Sequence, residues 1–312
     1  MAPKIGYVLP TREQVMRGRP EAKPLLDLAA KAEGLGFDSV WVGDSLLARP
    51  RHEPLSLLTA IAIRAPGLTL GTAVLLPVLR NPVLLAHQIA TIDQISAGRL
   101  VIGFGIGPDS PGVRAEYAAA GVPFEKRMGA TLEGLRLCRA LWTGEPVDWD
   151  GRWQVSGGVL GPVPHTPGGP PIWIGGGSRG IRDRAGRHFD GWLPVSPIAA
   201  EWGEHWAEIK DIAGEAGRDP SKLTGAVCLN LSIDEDPIAA EHRLGAYFEE
   251  YYGIVDETHR QTHGCYAGSA AGAAAWLDGY ASAGVDHFVL RFAGRNERHL
   301  ELLAELRATL GW

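Results

Sequence analysis

An α/β fold closed as a (β/α)8 barrel is what this sequence predicts, and three observations carry the expectation. Short apolar runs alternate with helical stripes along the whole chain, eight times in all. Several of the runs are almost continuously apolar, as parallel strands covered on both faces must be. The 312 residues exceed the roughly 250 of a minimal barrel, and the excess falls in three stretches with insertion character. A doubly wound open sheet is the rival, since alternation alone does not show closure.

The first strand is read at Ile5–Leu9. Leu25, Leu28, Ala29, Ala32 and Leu35 then recur at three- and four-residue steps, with Gly36 as C-terminal cap. Strands two and three are Ser39–Gly43 and Leu68–Leu75; the stripe Leu85, Ile89, Ile92, Ile95 follows and stops before Gly98. Leu100–Ile106 is strand four, and Pro108–Lys126 after it reads as a loop. After the fourth helix, Thr143–Pro171 is rich in Gly, Pro and Trp and reads as an ordered lid or small hairpin, Trp149 and Trp153 walling the substrate. Strands five to seven are Ile172–Gly175, Gly191–Val195 and Ala226–Ile233. A polar insertion, Tyr252–Gly268, follows the seventh; His287–Phe292 is the eighth, and Leu300, Leu303, Leu306 and Leu310 stripe the last helix. No charge block, low-complexity linker or short repeat divides the chain, so residues 1–312 read as one barrel domain with insertions after strands 4 and 7 and helix 4.

A formal charge of −6 argues against a nucleic-acid partner. No apolar run approaches eighteen residues and the chain enters Ile5 directly, so neither a membrane span nor a secretory signal is expected. Cys138, Cys228 and Cys265 are too few and too dispersed for a disulfide framework or zinc site. His259 and His263 lie four apart without an intervening Glu, which fails the metalloprotease pattern, so no metal is expected. A cytoplasmic enzyme is the resulting expectation.

In a βα barrel the carboxyl ends of the strands carry the chemistry. Asp44 ends the second strand; it can accept a hydrogen bond or take a proton, or merely cap the next loop. Gly71 and Ala73 would let a flat ligand approach the third strand, or simply pack small. The fourth strand ends Gly103-Phe104-Gly105-Ile106-Gly107-Pro108, in which Pro108 and the missing helix start exclude a dinucleotide fingerprint. The fifth runs into Gly175-Gly176-Gly177-Ser178 before a helical stretch: free backbone N–H groups and a hydroxyl make a phosphate cradle, or a plain tight turn. Arg291, inside the apolar eighth strand, needs an internal carboxylate or a bound anion.

Together, Leu35–Trp41 leading to Asp44, Gly71–Val74, Arg80–Gln88, Ser96–Leu100, Gly103–Gly107 and Ile172–Ser178 resemble the bacterial luciferase-like superfamily of flavin- and deazaflavin-dependent oxidoreductases. The resemblance spans nearly the whole chain. It implies FMN or coenzyme F420 at the strand carboxyl ends, and a non-prolyl cis peptide, here Ala73–Val74, bracing the cofactor ring. By motif it assigns Gly175, Gly176, Gly177 and Ser178 to the phosphate, Ile106 and Gly107 to the ring, Asp44 to the ring's polar neighbour, and Arg291 to the far end of the phosphate region. Two departures stand out. Ser45 occupies the place of a catalytic histidine found in many members, and Pro108, with Asp109 beside it, the place of an acid in the deazaflavin sugar-phosphate dehydrogenases.

The function expected is monooxygenation or hydride transfer on a small organic substrate, by a homodimer, with a flavin reductase or NAD(P)H as electron source. The alternatives are a phosphate-substrate isomerase or aldolase, which needs a lysine or a Glu/His couple at strand ends, and a catalytically silent flavin-binding barrel.

Overall fold

The eight runs expected to be strands form strands, and they close on themselves. The computed structural model describes residues 2–196, 198–253 and 261–312. Its strands are β1 (Lys4–Val8), β2 (Ser39–Val42), β3 (Thr69–Thr72), β4 (Leu100–Phe104), β5 (Val147–Asp150), β6 (Gln154–Gly158), β7 (Ile172–Gly175), β8 (Gly191–Leu193), β9 (Thr224–Ile233), β10 (Cys265–Gly268) and β11 (His287–Phe292). The pair β5–β6 is an antiparallel hairpin. The others share one sheet in the order β10-β9-β11-β1-β2-β3-β4-β7-β8, and β9 pairs with β8 as well. Eight strands therefore make a closed parallel barrel, and the open-sheet rival is excluded.

Between the strands lie α1 (Thr11–Met16), α2 (Lys23–Gly34), α3 (Pro54–Arg64), α4 (Pro82–Ile95), α5 (Pro111–Ala119) and α6 (Arg127–Leu141). The later helices are α7 (Arg179–His188), α8 (Ala199–Glu215), α9 (Pro237–Tyr252), α10 (Ala270–Ser282) and α11 (Asn296–Leu310). The insertion after α6 is the hairpin expected there. Pro108–Lys126 is not the loop expected: Ser110 caps α5 through the Val113 N–H, Pro111 fits its first turn, and Val113, Glu116 and Tyr117 bury one face. Tyr252–Gly268 holds the extra strand β10, while His259 lies outside the described residues.

Contacts gather into two units: Met1–Pro10, Lys23–Trp41 and Ile172–Trp312 in one, Thr11–Ala22 and Val42–Pro171 in the other. In the first, one device recurs three times. An aspartate just before a strand accepts a backbone N–H at or near the start of another: Asp38 takes Ile5 N at 2.8 Å, Asp190 takes Ile172 N at 2.9 Å, and Asp286 takes Gly225 N at 2.8 Å. Donors with no ladder partner at the strand openings are thereby satisfied. The interior stacks Trp41 on Trp173, centroids 5.2 Å apart, with His287 edge-on to both. Ser39 Oγ accepts the Trp41 indole N–H and bonds His287 Nε2 at 2.7 Å.

In the second unit, Arg99 staples the end of α3, donating to the carbonyls of Ala62, Leu68 and Ser96; a cation at a helix C-terminus also suits the dipole. The hairpin is pinned to α6. Glu133 takes the Arg152 N–H at 2.7 Å and pairs with its guanidinium, and Trp153 packs against the cluster of Val78, Val113, Tyr117, Phe124 and Ala130. Trp153 is thus a brace against helices, and the hairpin's tip is fixed by an ion pair.

Burial pushes His287 down to about 3 and His299, which accepts Ile233 N on Nε2, down to about 4. Both rings stay neutral in the fold, so below about pH 6.5 only the unfolded chain gains their protons. Their contribution is complete above pH 6.5 and falls as the pH drops towards 4, by roughly 1.4 kcal/mol per pH unit for each ring. The urea midpoint is therefore expected to fall between pH 7 and pH 5, and His287→Gln to reduce that slope by about half. A midpoint independent of pH over this range would show that the rings are not held neutral.

Candidate active site

In the second unit, Asp44 leaves β2 and turns inward, its side chain 3% exposed. Both carboxylate oxygens are engaged. Oδ2 accepts Leu76 N at 2.9 Å and Arg80 NH1 at 2.6 Å, while Oδ1 accepts Arg80 NH2 at 3.1 Å. Arg80 NH2 also reaches Glu53, the residue that caps α3. Burial works to lower the Arg80 pKa, but Asp44 and then Glu53 outweigh it and hold the guanidinium above the ordinary arginine range. A fixed carboxylate on a permanent cation is the result.

Leu76 lies two residues past the Ala73–Val74 peptide, which is cis, as the resemblance implied. Asp44 thus ties the end of β2 to the segment after β3. Ala73 N bonds back to Val42 O, and Leu75 bridges to Phe104, so both peptide neighbours are held by flanking strands. Gly105 is a glycine by necessity: a Cβ there would stand 2.8 Å from Val74 Cγ2. Ile106 O accepts the Tyr117 hydroxyl at 2.9 Å, and Gly107 adopts φ 66° beside Val113. Asp44 is thus bonded to the segment that holds Ala73 and Val74, and the Leu75–Gly105 bond joins that segment to the stretch ending in Ile106 and Gly107.

The two departures are spent elsewhere. Ser45 donates to Glu116 at 2.7 Å and accepts Arg49 N at 2.8 Å. Asp109 is held at the surface by Arg114, at 2.6 and 2.8 Å.

In the first unit, β7 ends at Gly175, and Gly176, Gly177 and Ser178 lie exposed before α7. Gly176 has φ 105°, a conformation that L side chains avoid. Over Gly177 nothing stands within 4 Å of where a Cβ would lie. Ser178 is the N-cap of α7, yet its hydroxyl makes no capping bond. An open turn, a hydroxyl without a capping bond and the start of a ten-residue helix are the features an anion cradle requires. Behind it, Trp192 Nε1 and Arg182 donate to the carbonyls of Gly176 and Gly177, fixing the turn from the side away from the N–H groups.

Arg291, on β11, is 9% exposed. Its described partners are the Tyr252 hydroxyl, at 3.0 Å, and the Tyr251 ring, at 5.0 Å. No internal carboxylate pairs with it among the described residues. A phenol and a ring face cost less to bury than a second charge, but neither neutralises the guanidinium. No group of His, Cys, Asp and Glu able to hold a metal occurs among the described residues, and no described helix is long and apolar enough to cross a membrane.

Sequence reasoning missed Arg80, Glu116 and Tyr117. Arg80 stood within a quoted motif without a role; the pairings of Glu116 and Tyr117 left no local trace.

The chain has known relatives in sequence and in fold. The chain is 34% identical to the F420-dependent glucose-6-phosphate dehydrogenase of Mycolicibacterium smegmatis, over 75% of this chain and 70% of that protein. It is 29% identical to the enzyme of the same name from Nocardia farcinica, over 88% and 90% respectively. Among solved structures, an F420-dependent secondary alcohol dehydrogenase superposes with a TM-score of 0.82 at 22% identity, covering 99% of both chains. The monooxygenase RslO1 from Streptomyces bottropensis gives 0.83 at 23%, covering 99% of this chain and 100% of that one. The family model described as luciferase-like monooxygenase matches residues 3–311, and the chain belongs to that family.

Proposed function

We propose that the chain, taken as one barrel domain, is an oxidoreductase that exchanges hydride between coenzyme F420 and a small organic substrate. The observation that carries this reading is the open Gly175–Ser178 turn at the start of α7, where the Ser178 hydroxyl makes no capping bond and nothing stands over Gly177. F420 and FMN both carry a phosphate on the ribityl chain that such a turn accepts. The F420-dependent relatives favour the deazaflavin. Ala73, Val74, Ile106 and Gly107 are assigned to the ring, and Asp44 to a fixed acceptor beside it. Arg291 is assigned to the far end of the phosphate region, supported by its lack of a carboxylate partner among the described residues. The cofactor, when bound, supplies the redox chemistry; the protein's part is to orient it and exclude water.

An aldolase-type barrel finds no support. Lys4 starts a strand, and Lys23, Lys31, Lys126, Lys210 and Lys222 lie on helices or short turns, none at a strand carboxyl end. FMN with oxygen as acceptor, fed by a reductase or NAD(P)H, is the second reading, favoured by the match to the luciferase-like monooxygenase family. A homodimer in the cytoplasm belongs to the same proposal. Exposed Ile63 on α3 and Leu84 on α4 support the dimer, which light scattering tests.

Absorbance titration with F420 and with FMN tests the reading. F420 is expected to bind at micromolar concentration and to be reduced by a member of an alcohol panel. Binding of neither cofactor below about 1 mM overturns it.

A further inference from the structure

We propose that α5 is a two-pronged clamp, with Glu116 as a positioning residue that holds the loop after Asp44 and Tyr117 holding the end of β4; this rests on the functional reading above. Glu116 is 1% exposed. Its Oε2 alone accepts Ser45 Oγ at 2.7 Å, Leu47 N at 2.6 Å and Ala48 N at 3.0 Å, while Oε1 is buried with no partner among the described residues. A turn that needed only capping is served by a neutral Asn or Ser, without burying a charge. The carboxylate adds strength, because bonds to an ionised acceptor are about twice as strong as neutral ones. Leu46 and Leu47 remain 53% and 60% exposed on this loop and only Ala48 packs on the neighbouring apolar cluster, so the bonds to Glu116 carry much of its shape.

Ser45 is peptide-bonded to Asp44, so whatever fixes Ser45 fixes where the Asp44 backbone leaves β2. Tyr117, the next residue on the helix, donates to Ile106 O at 2.9 Å and is fully buried against Phe124. One short helix thus holds two segments assigned to the cofactor ring.

Glu116→Gln keeps the shape and one acceptor oxygen but removes the charge. It is expected to weaken F420 binding about tenfold, the loss of charge-assisted bonds, and to speed amide exchange at Leu47 and Ala48 by a similar factor. In an Asp44→Asn background the same change is expected to cost less than about threefold, because both act through one segment. Should Glu116→Gln fail to fold, Tyr117→Phe, which removes only the bond to Ile106, carries the test with a severalfold loss of affinity. Unchanged F420 affinity with a lowered melting temperature, or fully additive losses in the double variant, overturns the clamp. Failure of the unmodified protein to bind either F420 or FMN overturns the functional reading instead, and amide exchange at Leu47 and Ala48 still judges whether Glu116 holds the loop.

Discussion

Gly177→Asp is expected to weaken F420 or FMN binding about a hundredfold while leaving the fold intact. The backbone at Gly177 has no positive φ, and nothing stands within 4 Å of a Cβ placed there, so the side chain costs the apoprotein little. Its carboxylate falls where a phosphate would take the N–H groups of α7. Two like charges about 4 Å apart near a surface repel by up to about 4 kcal/mol at an effective dielectric constant of 20. The turn is exposed, so solvent screening reduces this; about 3 kcal/mol, two orders of magnitude in Kd, is the expected size. Two controls sharpen the result. Gly177→Ala adds volume without charge and is expected to cost less than tenfold, whereas the Asp variant should recover affinity as salt is raised. Absorbance titration of all three proteins decides the matter: affinity within threefold of the parent for Gly177→Asp would remove the phosphate from this turn.

The same turn shows what a sequence can disclose. Gly175-Gly176-Gly177-Ser178 follows an apolar run and precedes a helix, and each property that matters there is local: a positive φ, an absent Cβ, a hydroxyl at the N-cap. The barrel was legible for a related reason. Strands such as Ile172–Gly175 and His287–Phe292 are bounded by glycine, proline or aspartate and buried on both faces, so their limits are written into composition. Helix α5 was not legible, because Pro111-Gly112 opens it and alanines blur its apolar stripe; the buried face shows only as Val113, Glu116 and Tyr117.

Long-range partners are the other blind spot. Arg291 announced that a buried cation needed something, but the tyrosines that meet it lie about forty positions away and carry no charge to advertise the pairing. Arg80 lies 36 residues from Asp44 and Glu116 lies 71 from Ser45. Neither spacing has a period, so no reading of local pattern could join them. The residues assigned to a ligand came from motif; those that hold them in place needed coordinates.

Asp44→Asn is therefore expected to be the most damaging single change to turnover. An amide in place of the carboxylate can still accept the Leu76 N–H through its oxygen, but its NH2 group then faces the Arg80 donors. A guanidinium left with Glu53 alone, in a site where Asp44 is 3% exposed, should cost the fold about 3 kcal/mol, the usual penalty for breaking a buried pair. The segment from Ala73 to Leu76 loses its charged anchor at the same time. Loss of turnover is expected to reach about a hundredfold or more, since misplacement of about 1 Å is enough for that. Cofactor affinity should fall much less, because the phosphate cradle belongs to the other unit and is untouched. Arg80→Met separates the two roles assigned to Asp44. If the carboxylate acts on the ring itself, Arg80→Met keeps that oxygen and retains more turnover than Asp44→Asn at comparable stability. If Asp44 is only a strut, the two variants lose turnover equally, and steady-state kinetics beside urea unfolding tells these outcomes apart.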